Sequence, residues 1–128
     1  MDNILYHRMF PNFQPQEFRC PCEHPLCQGD GMEFWFLSAL QDLRLQVGFP
    51  IKINSGYRCS IYNEHVGGVK NSYHVKGVAV DICTRAFSPK EKHRLLRKAF
   101  QRFTGIGMYT TFIHLDLRPL ACKSVWVS

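Results

Sequence analysis

Between Glu33 and Val47 apolar residues recur every three or four positions, at Phe34, Leu37, Leu40, Leu43 and Val47. That period is one face of an α-helix, and Gly48 and Pro50 supply its stop. The pattern then shortens. Residues 51–54, Ile-Lys-Ile-Asn, alternate and predict a strand, and Ser55-Gly56-Tyr57-Arg58 turns the chain. A short helix is expected from Ser60 to Val66, ended by Gly67 and Gly68. Residues 77–82 are rich in β-branched side chains and predict a second strand. Ser88-Pro89-Lys90-Glu91 opens a helix, with serine as N-cap, proline at the first position and Glu91 placed for a capping box. It is expected to turn Leu95, Leu96, Ala99, Phe100 and Phe103 inward. Residues 105–109 and 112–117 read as two more strands, followed by a short tail. Residues 1–32, with prolines at 11, 15, 21 and 25, read as loop-rich, with one helical turn around Glu17. Strands and helices mix without regular βαβ alternation. The expectation is an α+β fold, a small, mostly antiparallel sheet with flanking helices.

The chain has 128 residues, which suits one domain, 1–128, around one core. No apolar run is long enough to span a membrane. Met1 to Leu5 shows neither a basic segment nor a long apolar run, so no signal peptide is expected. The net charge is +6, which favours anionic partners such as nucleic acid or an anionic cell wall. The basic cluster from Lys90 to Arg102 reads as the wet face of a helix.

The strand faces carry the chemistry. Successive strand side chains point to opposite sides. In Phe112-Ile-His-Leu-Asp-Leu117, His114 and Asp116 therefore share one face and the aliphatic residues take the other. Asp81 lies on the same face as Gly77 and Ala79, which leaves room for a partner, and a carboxylate within an apolar strand needs one. His74 sits in the turn leading into that strand. His74, Asp81 and His114 make a plausible three-ligand zinc set, with a fourth position open as in catalytic sites.

The chain has six cysteines. Cys20, Cys22 and Cys27 cluster, and Cys59 or His24 offers a fourth ligand for a possible structural zinc. The spacing is not that of a standard finger, and reduced thiols remain an open alternative.

Ser72-Tyr-His-Val-Lys-Gly-Val-Ala-Val-Asp81 resembles the Ser-x-His-x-x-Gly-x-Ala-x-Asp signature of the zinc D-Ala-D-Ala carboxypeptidase family, whose fold is shared with the hedgehog signalling domain. Residues 53–59, 63–72 and 105–118 resemble further blocks of the same family in the same order, and Glu17-Phe-Arg-Cys-Pro-Cys22 resembles the opening of its small phage and bacterial members. The resemblance implies Zn2+ bound by His74, Asp81 and His114. It implies Arg58 as the group that steadies the scissile carbonyl oxygen and Ser72 as a substrate contact. It implies a peptidase of D,D-carboxypeptidase or endopeptidase type acting on peptidoglycan stem peptides.

Many members carry a glutamate or histidine just before the last zinc histidine as general base. Here residues 109–113 are Tyr, Thr, Thr, Phe and Ile. Asp116 is the candidate for base or for orienting a ligand. Small size and no signal peptide suit a phage-encoded lysis or entry enzyme, made in the host cytoplasm, monomeric, without a membrane span and acting on the wall. The alternatives are a non-catalytic zinc module that binds a partner and a nucleic-acid binder. The last lacks aromatic residues interleaved with basic ones and is not expected.

Overall fold

The computed structural model describes residues 2–27 and 29–128; Met1 and Gln28, which fall in the leader and cysteine-rich readings above, lie outside them. In chain order the elements are α1 (Asn3–Met9), a 3-10 turn (Pro15–Phe18), α2 (Phe34–Val47), β1 (Lys52–Ser55), α3 (Ser60–His65), β2 (Ala79–Cys83), α4 (Pro89–Phe100), β3 (Gly105–Met108), β4 (Phe112–Asp116), a second 3-10 turn (Leu120–Cys122) and β5 (Ser124–Val127). The sheet has five strands in the order β1-β2-β4-β3-β5. All neighbours are antiparallel except β3 and β5, which run parallel. The fold is α+β with a mostly antiparallel sheet.

The helix ends follow from local chemistry. Ser88 Oγ accepts from the Glu91 amide at 3.1 Å, and the Ser88 amide donates to Glu91 Oε1 at 2.9 Å. That reciprocal pair satisfies two donors left free at the helix start. Arg94 on α4 donates to the carbonyl oxygens of Val47 and Gln46, at 2.9 and 2.7 Å. Its charge thus meets the negative end of α2 and fixes the angle between the two helices.

One face of the sheet builds the core. Val80, Ile82, Ile106, Ile113 and Leu115 pack with Phe36, Leu40, Leu43, Leu95, Ala99 and Phe103. Two residues expected inside are not. Phe34 and Phe100 are 44 and 45 % exposed, because each lies at the edge of its helix's buried stripe, and Phe36 and Ala39 fill the α2 side instead.

The N-terminal segment is more structured than its prolines suggest. Its first turns form α1, where Asp2 accepts from the Leu5 amide at 2.8 Å. Phe10, Phe13 and Phe18 are buried in the main core. The tail adds β5, which pairs in parallel with β3. A strand so short has little periodicity of its own and is fixed by that pairing.

Candidate metal centre

The other face of the sheet carries one row across all five strands. Ser55, Asp81, His114, Gly107 and Trp126 are successive partners on β1, β2, β4, β3 and β5. The next row sets Ala79, Asp116, Gly105 and Ser124 side by side. The period-two pattern therefore gathers the polar side chains on one patch, opposite the core.

His74 joins them from the turn before β2. Its amide donates to Ser72 Oγ at 3.2 Å, and its carbonyl accepts from the amides of Arg58 and Gly77, both at 3.2 Å. Asp81 Oδ1 lies 3.3 Å from His74 Nε2 and 3.0 Å from His114 Nδ1. The three ligand atoms all fall within 4.8 Å of one another.

The residues fit a zinc ion by their donor set and by what stands behind them. His74 Nδ1 lies 2.7 Å from the Gly56 carbonyl oxygen, which can only accept, so Nδ1 carries the proton and Nε2 a free lone pair. His114 Nε2 lies 2.7 Å from Asp116 Oδ2, which leaves the Nδ1 lone pair facing Asp81 and His74. Both imidazoles are thus held in the tautomer that a metal requires.

Electrostatics agree with the geometry. Burial pushes the Asp81 carboxyl up, but without a metal the His114 and His74 rings, which donate to it when they carry a second proton, outweigh burial and hold the group well below the usual carboxylate range. Burial also opposes charge on Asp116, yet the guanidinium of Arg118 and the ring of His114 hold its carboxyl at about 2. Burial disfavours the charged form of His114, but Asp116 and Asp81 more than offset it and raise its pKa.

Arg58 is fixed by three acceptors. Nε donates to Ser55 Oγ at 3.2 Å, one terminal nitrogen to Asn63 Oδ1 at 3.1 Å, and the other to Asp81 Oδ2 at 3.4 Å. The buried Asn63 is in turn held by its donation to the Val69 carbonyl at 2.9 Å.

These groups open onto a cleft of about 510 Å³, with Ser72 in its wall. Tyr73, Tyr109, Phe112, Arg118 and Trp126 complete it. Arg118 lies over the Tyr73 and Trp126 rings, at 4.7 and 5.2 Å, and grips Asp116 through two nitrogens at 2.9 and 2.6 Å. Trp126 Nε1 donates to Tyr109 Oη at 3.0 Å.

Sequence reasoning missed Asn63, Arg118 and Trp126 as site residues. Arg118 had a signal, since it extends the alternation of His114 and Asp116. Asn63 and Trp126 had none within their own elements. Asp116 is fully buried behind His114 and does not line the cleft. His24 is exposed, and its Nδ1 accepts from the Leu26 amide at 3.2 Å.

A comparison with protein-family models matches residues 11–116 to the family described as Peptidase M15. The match covers most of the chain and includes His74, Asp81, His114 and Asp116, and the chain belongs to that family of zinc-dependent peptidases. A comparison with curated proteins finds no match. Among the described residues, no helix is long and apolar enough to cross a membrane.

Proposed function

We propose that this chain is a zinc metallopeptidase that hydrolyses peptide bonds in the stem peptides of bacterial peptidoglycan, in a phage-type lysis or entry role. The observation that carries the reading is the convergence of His74, Asp81 and His114 at the floor of an open cleft, with Arg58 fixed beside them. Zinc held there supplies a Lewis acid that polarises the scissile carbonyl and activates water.

The chain's own residues do the rest. Asp116 and the Gly56 carbonyl hold the two imidazoles in register. Asp116 serves as an orienting group rather than a base, because both its oxygens are engaged by His114 and Arg118 inside the protein. Arg58, already ordered, stabilises negative charge as it develops on the carbonyl oxygen without reorganising. Ser72, Tyr73, Tyr109 and Trp126 line the wall along which a stem peptide lies. The net charge of +6 draws the protein, acting as a monomer, to anionic wall polymers. Synthesis in a host cytoplasm and action on the wall complete this reading.

One observation favours a second reading, a non-catalytic zinc module that binds a partner. Among the described residues lining the cleft, Asp81 is the one carboxylate and His74 and His114 are the two imidazoles, so no side chain there is set aside as general base. Purified peptidoglycan decides between them. Incubation with the zinc-loaded protein is expected to release fragments whose masses name the bond cut, D,D-carboxypeptidase or endopeptidase, and His114→Ala is expected to abolish them. Bound zinc with an intact wall would reject the peptidase and leave the binding module.

A further inference from the structure

Four of the six cysteines meet at one point that the cleft does not use. Cys20, Cys22 and Cys27 come from the N-terminal segment and Cys59 from the end of the Arg58 loop, and their sulfur atoms all lie within 4.8 Å of one another. The Cys22 and Cys59 sulfurs are 3.7 Å apart. A tetrahedral zinc with Zn–S bonds of about 2.3 Å has S···S edges of about 3.8 Å. A disulfide needs about 2.05 Å.

Backbone donors already face this point. The Cys59 amide donates to Cys20 Sγ at 3.3 Å, and the Tyr62 amide donates to Cys59 Sγ at 3.4 Å. Such donors stabilise negative sulfur, the form that binds metal. The segment carrying three of the cysteines forms no helix or strand among its described residues, and an exposed Arg19–Asp30 ion pair at 3.1 Å spans it. It is a chain of turns, closed by the Cys27 amide on His24 at 3.0 Å and the Cys20 amide on Gly29 at 3.0 Å. Three thiols converging from such a segment on a fourth, 32 residues or more away in sequence, need an ordering interaction to offset their entropy.

We propose that Cys20, Cys22, Cys27 and Cys59 bind a second, structural zinc ion, which ties the N-terminal segment to the loop carrying Arg58. The site is closed, with four thiolates and no open position, so its role is architectural. The loop it anchors is the one behind the candidate metal centre. Ser55 holds Arg58, Gly56 holds His74, and the Tyr57 amide donates to the Phe18 carbonyl at 2.9 Å. Each cysteine binds as its thiolate, so zinc uptake releases protons and its free energy adds to that of folding.

The test uses the His74→Ala/His114→Ala double variant, in which the cleft's imidazoles are gone. Native mass spectrometry of the reduced protein is expected to show one bound zinc per chain. Adding Cys22→Ser and Cys27→Ser is expected to remove it. Should those changes prevent folding, cobalt substitution of the cysteine-intact double variant supplies an independent readout. Intense thiolate-to-cobalt charge-transfer bands with tetrahedral ligand-field bands are expected. A metal-free reduced chain, a chain lighter by two hydrogen atoms per disulfide, bound iron in place of zinc, or cobalt without charge-transfer bands would each overturn the proposal.

Discussion

Asp116 Oδ2 lies 2.7 Å from His114 Nε2, on the side of the imidazole away from Asp81, and its carboxylate is fully buried. The pair forms because His114 and Asp116 are two residues apart on β4 and share a face. A carboxylate there fixes the tautomer and raises the basicity of the inward nitrogen. Asp116→Asn is expected to weaken zinc binding at the cleft by about 10- to 100-fold. Competition with a chelator measures it, and an unchanged affinity would remove Asp116 from the orienting role.

Arg58→Lys tests the oxyanion assignment. A lysine keeps the charge but cannot contact Ser55, Asn63 and Asp81 at once, as the guanidinium does. Turnover on peptidoglycan fragments is expected to fall by roughly 100- to 1,000-fold, with zinc content unchanged. Steady-state kinetics beside metal analysis separates the two. Equal turnover in variant and wild type would show that Arg58 only braces the loop.

The core and the ligand face were legible because both rest on local periodicity. The spacing of Leu37, Leu40, Leu43 and Val47 located α2, and Ser88 with Glu91 located the start of α4. Alternation put His114 and Asp116 on one side of β4. What stayed hidden depends on distant partners. Trp126 reaches the cleft only because β5 adds to β3. Asn63 is the local exception, five residues from Arg58, but nothing in the pattern of α3 shows that its side chain turns back onto the guanidinium. Phe10 and Phe13 sit among turns and carry no periodicity, although the core buries both.

Stability at acid pH follows from the same buried pair. The folded pKa of Asp116, about 2, lies below the ordinary 3.8. A depressed carboxyl contributes stability above its unfolded value and loses it as pH falls through the folded one. Asp116→Asn is therefore expected to be less stable than wild type at neutral pH, with the gap narrowing between about pH 4 and pH 2. Urea melts across that window, on metal-free protein, measure the gap. A constant gap would mean that the Asp116 charge adds nothing to the fold.

Two glycines of β3 make contrasting tests of the patch behind the centre. Gly105 pairs with Asp116 and Gly107 with His114, so both face the polar side of the sheet. A Cβ on Gly105 would overlap the Asp116 carboxylate, which Arg118 and His114 hold in place and which cannot retreat through the sheet. A Cβ on Gly107 would meet the Trp126 ring at 2.5 Å, but that ring is carried by the terminal strand, which has a single neighbour and can shift outward. Gly105→Ala is thus expected to cost about 1–3 kcal/mol of stability and to weaken zinc binding through His114. Gly107→Ala is expected to keep the zinc and most of the stability while breaking the Trp126 to Tyr109 hydrogen bond and reshaping the cleft wall. Thermal melts, chelator competition and tryptophan fluorescence read the three effects separately. If Gly107→Ala lost zinc as readily as Gly105→Ala, the strain would be spreading through the whole sheet rather than following the side chain that each glycine faces.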